Sequence, residues 1–448
     1  MPLAFVFDPN RCTGCQACEL ACSIENELGP DRSWRGVVTF NQEALPGIPL
    51  FHLSLACNHC AEPTCMHSCP ALAYHRDEET GAVLIDPDSC IGCHYCSWVC
   101  PYGAPRFEKE RGVMGKCTFC VHRLKDDLRP ACADLCPTGA LDFARVPSAE
   151  LCAPIEGFPR TDLGPAVRIE PVSRAEPPPH TAFAAPLAPG SCPVEPAITF
   201  RAEWSLMAFT YLVSVMFAGF TAAASGMMRL HPLIFATGAV LAGSLSLSHL
   251  GRPERAWRAV LNVRGSWLSR EVLGFGAFAA AGTVALVPGD RLSNGVTLVA
   301  WLVGLLTLVA VDQVYRPVYR GRNPVLDSGG ALVTGLYLAG LFTGLILVAA
   351  PAWALKLATE ALGRRPHDAD DSAALSPLWF VVTRLVLGLA VPAVAWAWAG
   401  MPLGTLAIGA ALVGEAMGRA SFYNRLAIQS PARQVRADVG RRLASAGC

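Results

Sequence analysis

Sixteen of the 19 cysteines in this 448-residue chain fall into four rows. The first is Cys12, Cys15, Cys18 and Cys22; the second is Cys57, Cys60, Cys65 and Cys69, followed by Pro70. The third is Cys90, Cys93, Cys96 and Cys100, followed by Pro101; the fourth is Cys117, Cys120, Cys132 and Cys136, followed by Pro137. The third row has the C-x2-C-x2-C-x3-C-P spacing of bacterial ferredoxins, and the first differs from it only by Ser23 in place of the proline. Three thiolates within seven residues can wrap one face of a cubane while loop amides point at its sulfurs. The fourth cysteine, one turn on, then points at a second cluster. Zinc closure uses two separated cysteine pairs, which rows of four with a following proline do not suit. Every ligand position is cysteine, so nothing points to a three-iron cluster, and the rows predict four [4Fe–4S] clusters. Cys152, Cys192 and Cys448 belong to no row.

The elements that must hold these rows are duplicated. Asp-Pro-x-x-Cys-x-Gly-Cys opens both the first row, from Asp8, and the third, from Asp86, an internal repeat of 78 residues. Residues 1–150 are polar and punctuated by Pro and Gly, and begin with a strand-like run. Residues 1–8 show neither a basic-then-apolar leader nor a twin-Arg pattern. That predicts a half that is not exported, in which a disulfide framework is not expected. Residues 151–200 read as a linker; eleven prolines between Ala153 and Ala197 predict an extended tether without helix or sheet.

The second half changes character. Hydrophobic residues make up 52% of the whole chain and charged ones 16%, but Arg229 is the sole Asp, Glu, Lys or Arg between Trp204 and Leu250. Apolar stretches of membrane-spanning length occur near 204–227, 232–250, 271–288, 294–314, 329–350, 377–399 and 402–423. The fold class predicted is an α+β duplicated ferredoxin-like iron–sulfur domain followed by an all-α polytopic transmembrane bundle of seven or eight spans, over 201–425, and a basic tail, 426–448. The equal count of acidic and basic residues, 36 each, argues against nucleic-acid binding. Arginines concentrate in connection 251–270 (Arg252, Arg255, Arg258, Arg264, Arg270) and in 315–328 (Arg316, Arg320, Arg322), whereas the alternate connections hold Arg229 and Arg291. Positive-inside bias puts the Arg-rich loops and the iron–sulfur domain in the cytoplasm, on the inner membrane of a prokaryote. Seven spans would then leave the tail, with Arg425, Arg433, Arg436, Arg441 and Arg442, outside. Either 351–376 hides an eighth span or the rule fails locally.

Residues 1–145 resemble the four-cluster iron–sulfur subunit of the dimethyl sulfoxide reductase family, through Arg11–Cys22 and the Lys-Cys-Thr-Phe-Cys run at 116–120. Residues from about 200 to 425 resemble that family's membrane anchor, through Glu-Trp-Ser-Leu at 203–206, His-Leu-Gly-Arg-Pro-Glu-Arg-Ala at 249–256, Ser-Trp-Leu-Ser-Arg-Glu at 266–271 and Gly-Glu-Ala-Met-Gly-Arg-Ala-Ser-Phe-Tyr at 414–423. The resemblance implies that rows pair. Cys12, Cys15 and Cys18 would complete a site with Cys136, and Cys117, Cys120 and Cys132 one with Cys22. Cys57, Cys60 and Cys65 would join Cys100, and Cys90, Cys93 and Cys96 would join Cys69. It also implies a separate molybdopterin catalytic subunit and an anchor of eight spans.

Ionisable groups at membrane depth are costly and mark function or pairing. His249 ends the second span and Glu271 opens the third, both flanking an Arg-rich loop. Quinol oxidation removes two protons with two electrons, which a histidine and a carboxylate suit, while Arg252 could hold a carbonyl or developing anion. The resemblance likewise implies that His249 and Glu271 line a site for menaquinone or ubiquinone. The plainer reading is a helix cap and an interfacial ion pair. Glu415 and Arg419, four apart in the last span, read as a self-neutralising pair in preference to a proton path, and Arg384 lies well inside the sixth span. Trp204, Trp267, Trp379 and Tyr423 read as interfacial anchors.

The function expected is a membrane-anchored electron-transfer subunit between the quinone pool and a molybdopterin partner. A cytoplasmic arm favours a sulfite-oxidising complex. Alternatives are the electron-transfer and anchor subunit of a dimethyl sulfoxide or other S- or N-oxide reductase, the arm of a membrane hydrogenase, or a structural anchor without a quinone site.

Overall fold

The computed structural model describes residues 1–29, 32–173, 198, 201–287, 293–319, 323–363, 377–399 and 405–445. They divide into two compact units, one holding the N-terminal residues together with the segment from Ile428 onward, the other holding most of the chain between.

In the first unit β1 (Leu3–Phe7) turns alternate side chains inward, burying Phe5 and Phe7. Helix α1 (Ala17–Glu25) carries Cys18 and Cys22 of the first row, and the hairpin β2 (Gly36–Phe40) and β3 (Phe51–Leu55) lies beyond it. The second row leads through α2 (Thr64–His67) into the hairpin β4 (Tyr74–Arg76) and β5 (Val83–Ile85). The third row carries α3 (Tyr95–Val99) and precedes the hairpin β6 (Arg106–Glu108) and β7 (Val113–Gly115). The fourth carries α4 (Val121–Lys125) and α5 (Ala131–Asp134), and ends at β8 (Leu141–Arg145). Strand β8 returns antiparallel to β1, from Leu3 opposite Arg145 to Phe7 opposite Leu141. The two ferredoxin-like halves are thus nested, with rows two and three inside rows one and four.

Two findings differ from the expected boundaries. The proline-dense segment is not all tether: β9 (Val167–Ile169) joins β1 in parallel, and Ile155, Phe158, Ala166, Val167 and Ile169 enter the core. Prolines at 154, 159, 165 and 171 flank this short strand without occupying it, so they do not interrupt its ladder. Residues 174–197 lie outside the described residues. The basic tail also folds here, as a long helix (Pro431–Ser445).

The second unit is helical: α6 (Trp204–Ala224), α7 (Pro232–Leu247), a 3-10 stretch (Pro253–Val260), α8 (Trp267–Ala285), α9 (Ser293–Val314), α10 (Ala331–Thr343), α11 (Ile346–Gly363), α12 (Leu378–Leu385), α13 (Val391–Ala399) and α14 (Thr405–Asn424). Among the described residues four stretches, Trp204–Ala224, Gly295–Val314, Pro324–Thr343 and Leu378–Ala395, are long and apolar enough to cross a membrane. The expected single span 329–350 is two helices. Gly344 takes φ +71°, and Gly340 lies so close to Ala349 that a Cβ there would come within 2.6 Å of the Ala349 nitrogen. Part of the apparently degraded region 351–376 is therefore helix α11, and residues 364–376 lie outside the described residues. Between α12 and α13 one π turn, Val386–Ala390, brings Gly388 against Gly414 of α14 and leaves the Gly388 carbonyl to accept from Tyr337 Oη at 2.7 Å.

The C-terminal helix, α15 (Pro431–Ser445), closes the first unit. Val435 is buried beside Phe40 and Leu53, the Gly157 amide donates to Asp438 Oδ2 at 2.6 Å, and Arg442 pairs with Glu156 at 2.6 Å. Gly157 is required there, because its φ is +79° and a Cβ would meet Val435 at 2.7 Å.

Candidate electron-transfer site

The repeat in the sequence is a repeat in the backbone. Asp8 accepts from the Asn10 amide and Asp86 from the Asp88 amide, both at 2.9 Å, so rows one and three open on the same carboxylate-stabilised turn. The second residue after the first cysteine of each row then has positive φ: Gly14, His59, Gly92 and Phe119. Rows one and three meet this demand with glycine. Rows two and four use bulky residues, for which the left-handed region is strained, and His59 and Phe119 lie against each other with ring centres 3.6 Å apart.

Cysteines from different rows line common recesses. One is lined by Cys12, Cys15, Cys18 and Cys136. Another is lined by Cys22, Cys117, Cys120 and Cys132 together with Arg35 and Trp34. In the other half, Cys57 and Cys100 are the cysteines that act most strongly on Cys60, and on Cys65 from the same row. Likewise Cys69 and Cys90 act on Cys93. Backbone amides face the sulfurs: His59 N to Cys57, Ala73 N to Cys69, Gly92 and Met114 N to Cys90, and Leu141 N to Cys136, at 3.4–3.5 Å. Burial pushes the Cys60 and Cys93 thiols up to about 12 and those of Cys100 and Cys120 to about 11, while the amides that face Cys136 hold it below the usual thiol range despite its burial. Neutral thiols grouped this way suit a cationic iron core, whose charge favours thiolate and displaces the protons. Among the described residues no three His, Cys, Asp or Glu side chains converge on the position of a single ion. The donor set fits iron–sulfur clusters. Cys152 is exposed, and Cys192 and Cys448 lie outside the described residues.

In the helical unit the predicted residues are placed less simply. His249 lies just past α7 and is partly buried; Arg252 is half-exposed and pairs with Glu254 at 3.6 Å. Helix α8 begins at Trp267, so Glu271 lies inside it rather than at its opening, and is 2% exposed. The charges acting most strongly on Glu271 are Arg419 and Asp312, not the arginines of the loop. The hydroxyls of Ser266 and Ser269, Gln313 Oε1 and Arg419 Nη2 are buried without a protein partner. The charged surroundings of Glu271 are thus set by α9 and α14 rather than by the loop that carries Arg252.

The predicted Glu415–Arg419 self-pair is corrected. Glu415 takes Lys356 at 2.6 Å and Thr334 Oγ1 at 2.9 Å, while Arg419 takes Asp312 at 3.1 Å and Thr210 Oγ1 at 3.0 Å. Partners from other helices win because each buried charge needs close hydrogen bonds from several directions. Arg384 pairs with Glu360 at 2.8 Å and donates to Ser328 Oγ; Arg425 bridges Asp327 and Glu360 at 2.8 and 3.1 Å. Tyr423 is also corrected: it is fully buried, its hydroxyl 2.5 Å from that of Tyr315, and is no interfacial anchor. Trp204 and Trp379 are exposed, as anchors require, and Trp267 lies under Arg270.

Sequence reasoning missed Arg35, Ser54, Asp312, Lys356 and Glu360. An acid within the fourth span, and a Lys-x-x-x-Glu spacing where a span seemed missing, were the available signals.

Residues 48–146 match the family described as 4Fe-4S dicluster domain, and residues 202–367 match DMSO reductase anchor subunit (DmsC). The sequence is similar to an anaerobic dimethyl sulfoxide reductase chain of Haemophilus influenzae, 41% identical over 151 residues that cover 32% of this chain and 73% of the relative. A sulfite dehydrogenase subunit of Allochromatium vinosum is 37% identical over 169 residues, 32% of this chain and 69% of its own. A tetrathionate reductase subunit of Salmonella typhimurium is 41% identical over 140 residues, 31% and 55%. Fold and cysteine recesses define an iron–sulfur electron-transfer subunit. The chain belongs to the dimethyl sulfoxide reductase type of that family, with an anchor domain of the same system on the same polypeptide.

Proposed function

We propose that this chain connects the quinone pool to a separate molybdopterin catalytic subunit, using four [4Fe–4S] clusters on the ligands Cys12, Cys15, Cys18, Cys136; Cys117, Cys120, Cys132, Cys22; Cys57, Cys60, Cys65, Cys100; and Cys90, Cys93, Cys96, Cys69. The observation that carries the reading is the grouping of cysteines across rows, with amides aimed at their sulfurs. Bound clusters supply one-electron transfer sites at these positions. The chain's residues bury them, fix their spacing and set their surroundings. Anaerobically purified protein should hold about sixteen irons per chain, four for each cluster. A Cys→Ser change should abolish the spectroscopic signal of the cluster assigned to that cysteine.

For quinone, the support is Glu271, a buried carboxylate on α8 whose charged neighbours are Asp312 of α9 and Arg419 of α14. It is a base for a quinol proton, with His249 and Arg252 nearer the loop. General-base catalysis is worth roughly a hundredfold or more, so Glu271→Gln should lower quinol-dependent reduction of the clusters by about that factor and leave iron content unchanged. Normal quinol turnover in both Glu271→Gln and His249→Ala leaves the plain-anchor reading.

The membrane reading takes the helices α6, α7, α8, α9, α10, α11, the α12–α13 pair and α14 as eight crossings, with the iron–sulfur unit in the cytoplasm. Its support is α15, which folds with the iron–sulfur unit and so requires an even number of crossings. The arginines of the tail then also lie inside, as the positive-inside rule asks. For the terminal substrate we take sulfite oxidation first, on the likeness to a sulfite dehydrogenase subunit; dimethyl sulfoxide is the rival, on the likeness to a dimethyl sulfoxide reductase. Electron flow measured in the purified complex with each substrate decides between them.

A further inference from the structure

Arg35 is 2% exposed and its guanidinium lies over the Phe5 ring, 4.2 Å from the centre. Its Nη1 donates to the carbonyl and the hydroxyl of Ser54, each at 3.2 Å, while Nε and Nη2 meet no protein oxygen or nitrogen acceptor and Cys132 is the sulfur nearest to hand. Among the described residues no carboxylate pairs with it; Glu19, close enough to act on it, is turned to the Val37 amide at 2.5 Å. An uncompensated buried guanidinium costs several kcal/mol, so this site asks for a negatively charged neighbour.

The position says which group. Arg35 lines the recess of Cys22, Cys117, Cys120 and Cys132. Ser54, which it holds, lines the recess of Cys12, Cys15, Cys18 and Cys136, and its hydroxyl lies 3.3 Å from Cys18 Sγ. Cys132, Cys18 and Cys117, drawn from both recesses, are the cysteines that stand nearest the guanidinium.

We propose that Arg35 is a positioning charge shared by these two clusters, raising the midpoint potential of both through its positive charge and the N–H groups of its Nε and Nη2. The proposal rests on the ligand assignment above. A reduced cluster carries one more negative charge than an oxidised one, so a fixed cation beside it favours reduction, and N–H donors to sulfur act in the same direction. Arginine keeps its proton throughout the accessible pH range.

The test is a redox titration followed by EPR on the anaerobically purified full-length protein, with iron and sulfide measured first. In Arg35→Met, iron should remain complete while two of the four midpoints fall. At the wild-type midpoint the reduced-to-oxidised ratio of those two should drop about tenfold, equivalent to 59 mV for a one-electron couple. Arg35→Lys should stay near wild type. Unmoved midpoints in an iron-replete Arg35→Met, or an equal drop in Arg35→Lys, overturn the proposal. If Arg35→Met loses iron, Arg35→Gln keeps a donor toward Ser54 without the charge and is read in the same way; iron loss there too makes Arg35 a structural residue and overturns it. Wild-type protein short of four clusters' iron fails the ligand assignment itself, and the role of Arg35 with it.

Discussion

Lys356 and Glu415 are 1% and 5% exposed at the side chain and meet at 2.6 Å inside an apolar helix unit. Removing one member strands the other, at a cost of roughly 3–5 kcal/mol, whereas exchanging both for apolar side chains of like volume costs far less. Lys356→Met should therefore lower the thermal stability of the detergent-solubilised protein sharply, and Lys356→Met with Glu415→Leu should recover most of it. On the surface of the iron–sulfur unit the magnitudes are smaller. His122 and Arg123, at 2.9 and 3.0 Å, hold the Glu25 carboxylate below the ordinary glutamate range, and Arg123 also pairs with Asp134. A lowered folded value means that this link contributes fully above the unfolded glutamate value, and is lost as pH falls through the folded one. Glu25→Gln should be less stable than wild type by under about 1 kcal/mol near neutrality. Denaturant titrations at a series of pH values should show the gap closing on the acid side of the unfolded value. The cysteines were legible because cluster ligation fixes residue type and spacing together. Arg35 was not, because a lone arginine before a strand carries no local mark of what surrounds it.

At the level of elements, helical and strand periodicity recovered most of what is local. The start of α6 at Trp204 and of α7 at Pro232 agrees with the apolar runs, and the 78-residue repeat reappears in helices that begin at Ala17 and at Tyr95. Gly344 was overlooked because a glycine in an apolar run reads as continuous until tertiary packing uses its left-handed freedom. Helix α15 was overlooked for another reason: its composition is basic and polar, as an exposed tail would be. Its signal was Val435, Val439 and Leu443, an i, i+4, i+8 stripe that packs on the core. Its docking is testable at one atom. Asp438→Ala leaves the buried Gly157 amide without its acceptor and should cost about 1–3 kcal/mol, read as faster proteolysis of the iron–sulfur unit.

For the whole molecule, the two units were visible in composition, but their boundary was not. Strand β9 and α15 both join the first unit through contacts distant in sequence, which no local window reports. The eight crossings proposed above make a topology prediction. A reporter active only in the cytoplasm should be active when fused after Cys448, and one active only outside should be silent there; the reverse pattern would exclude eight crossings. The same helix gives the molecule an order of completion. The sheet face that Val435 covers is made within the first 55 residues, yet its cover emerges about 380 residues later. At roughly 5–20 residues per second, translation leaves that face bare for some 20–80 seconds, while the membrane helices are being made. A chain that stops anywhere in the membrane half therefore lacks the helix that covers this face of its iron–sulfur half.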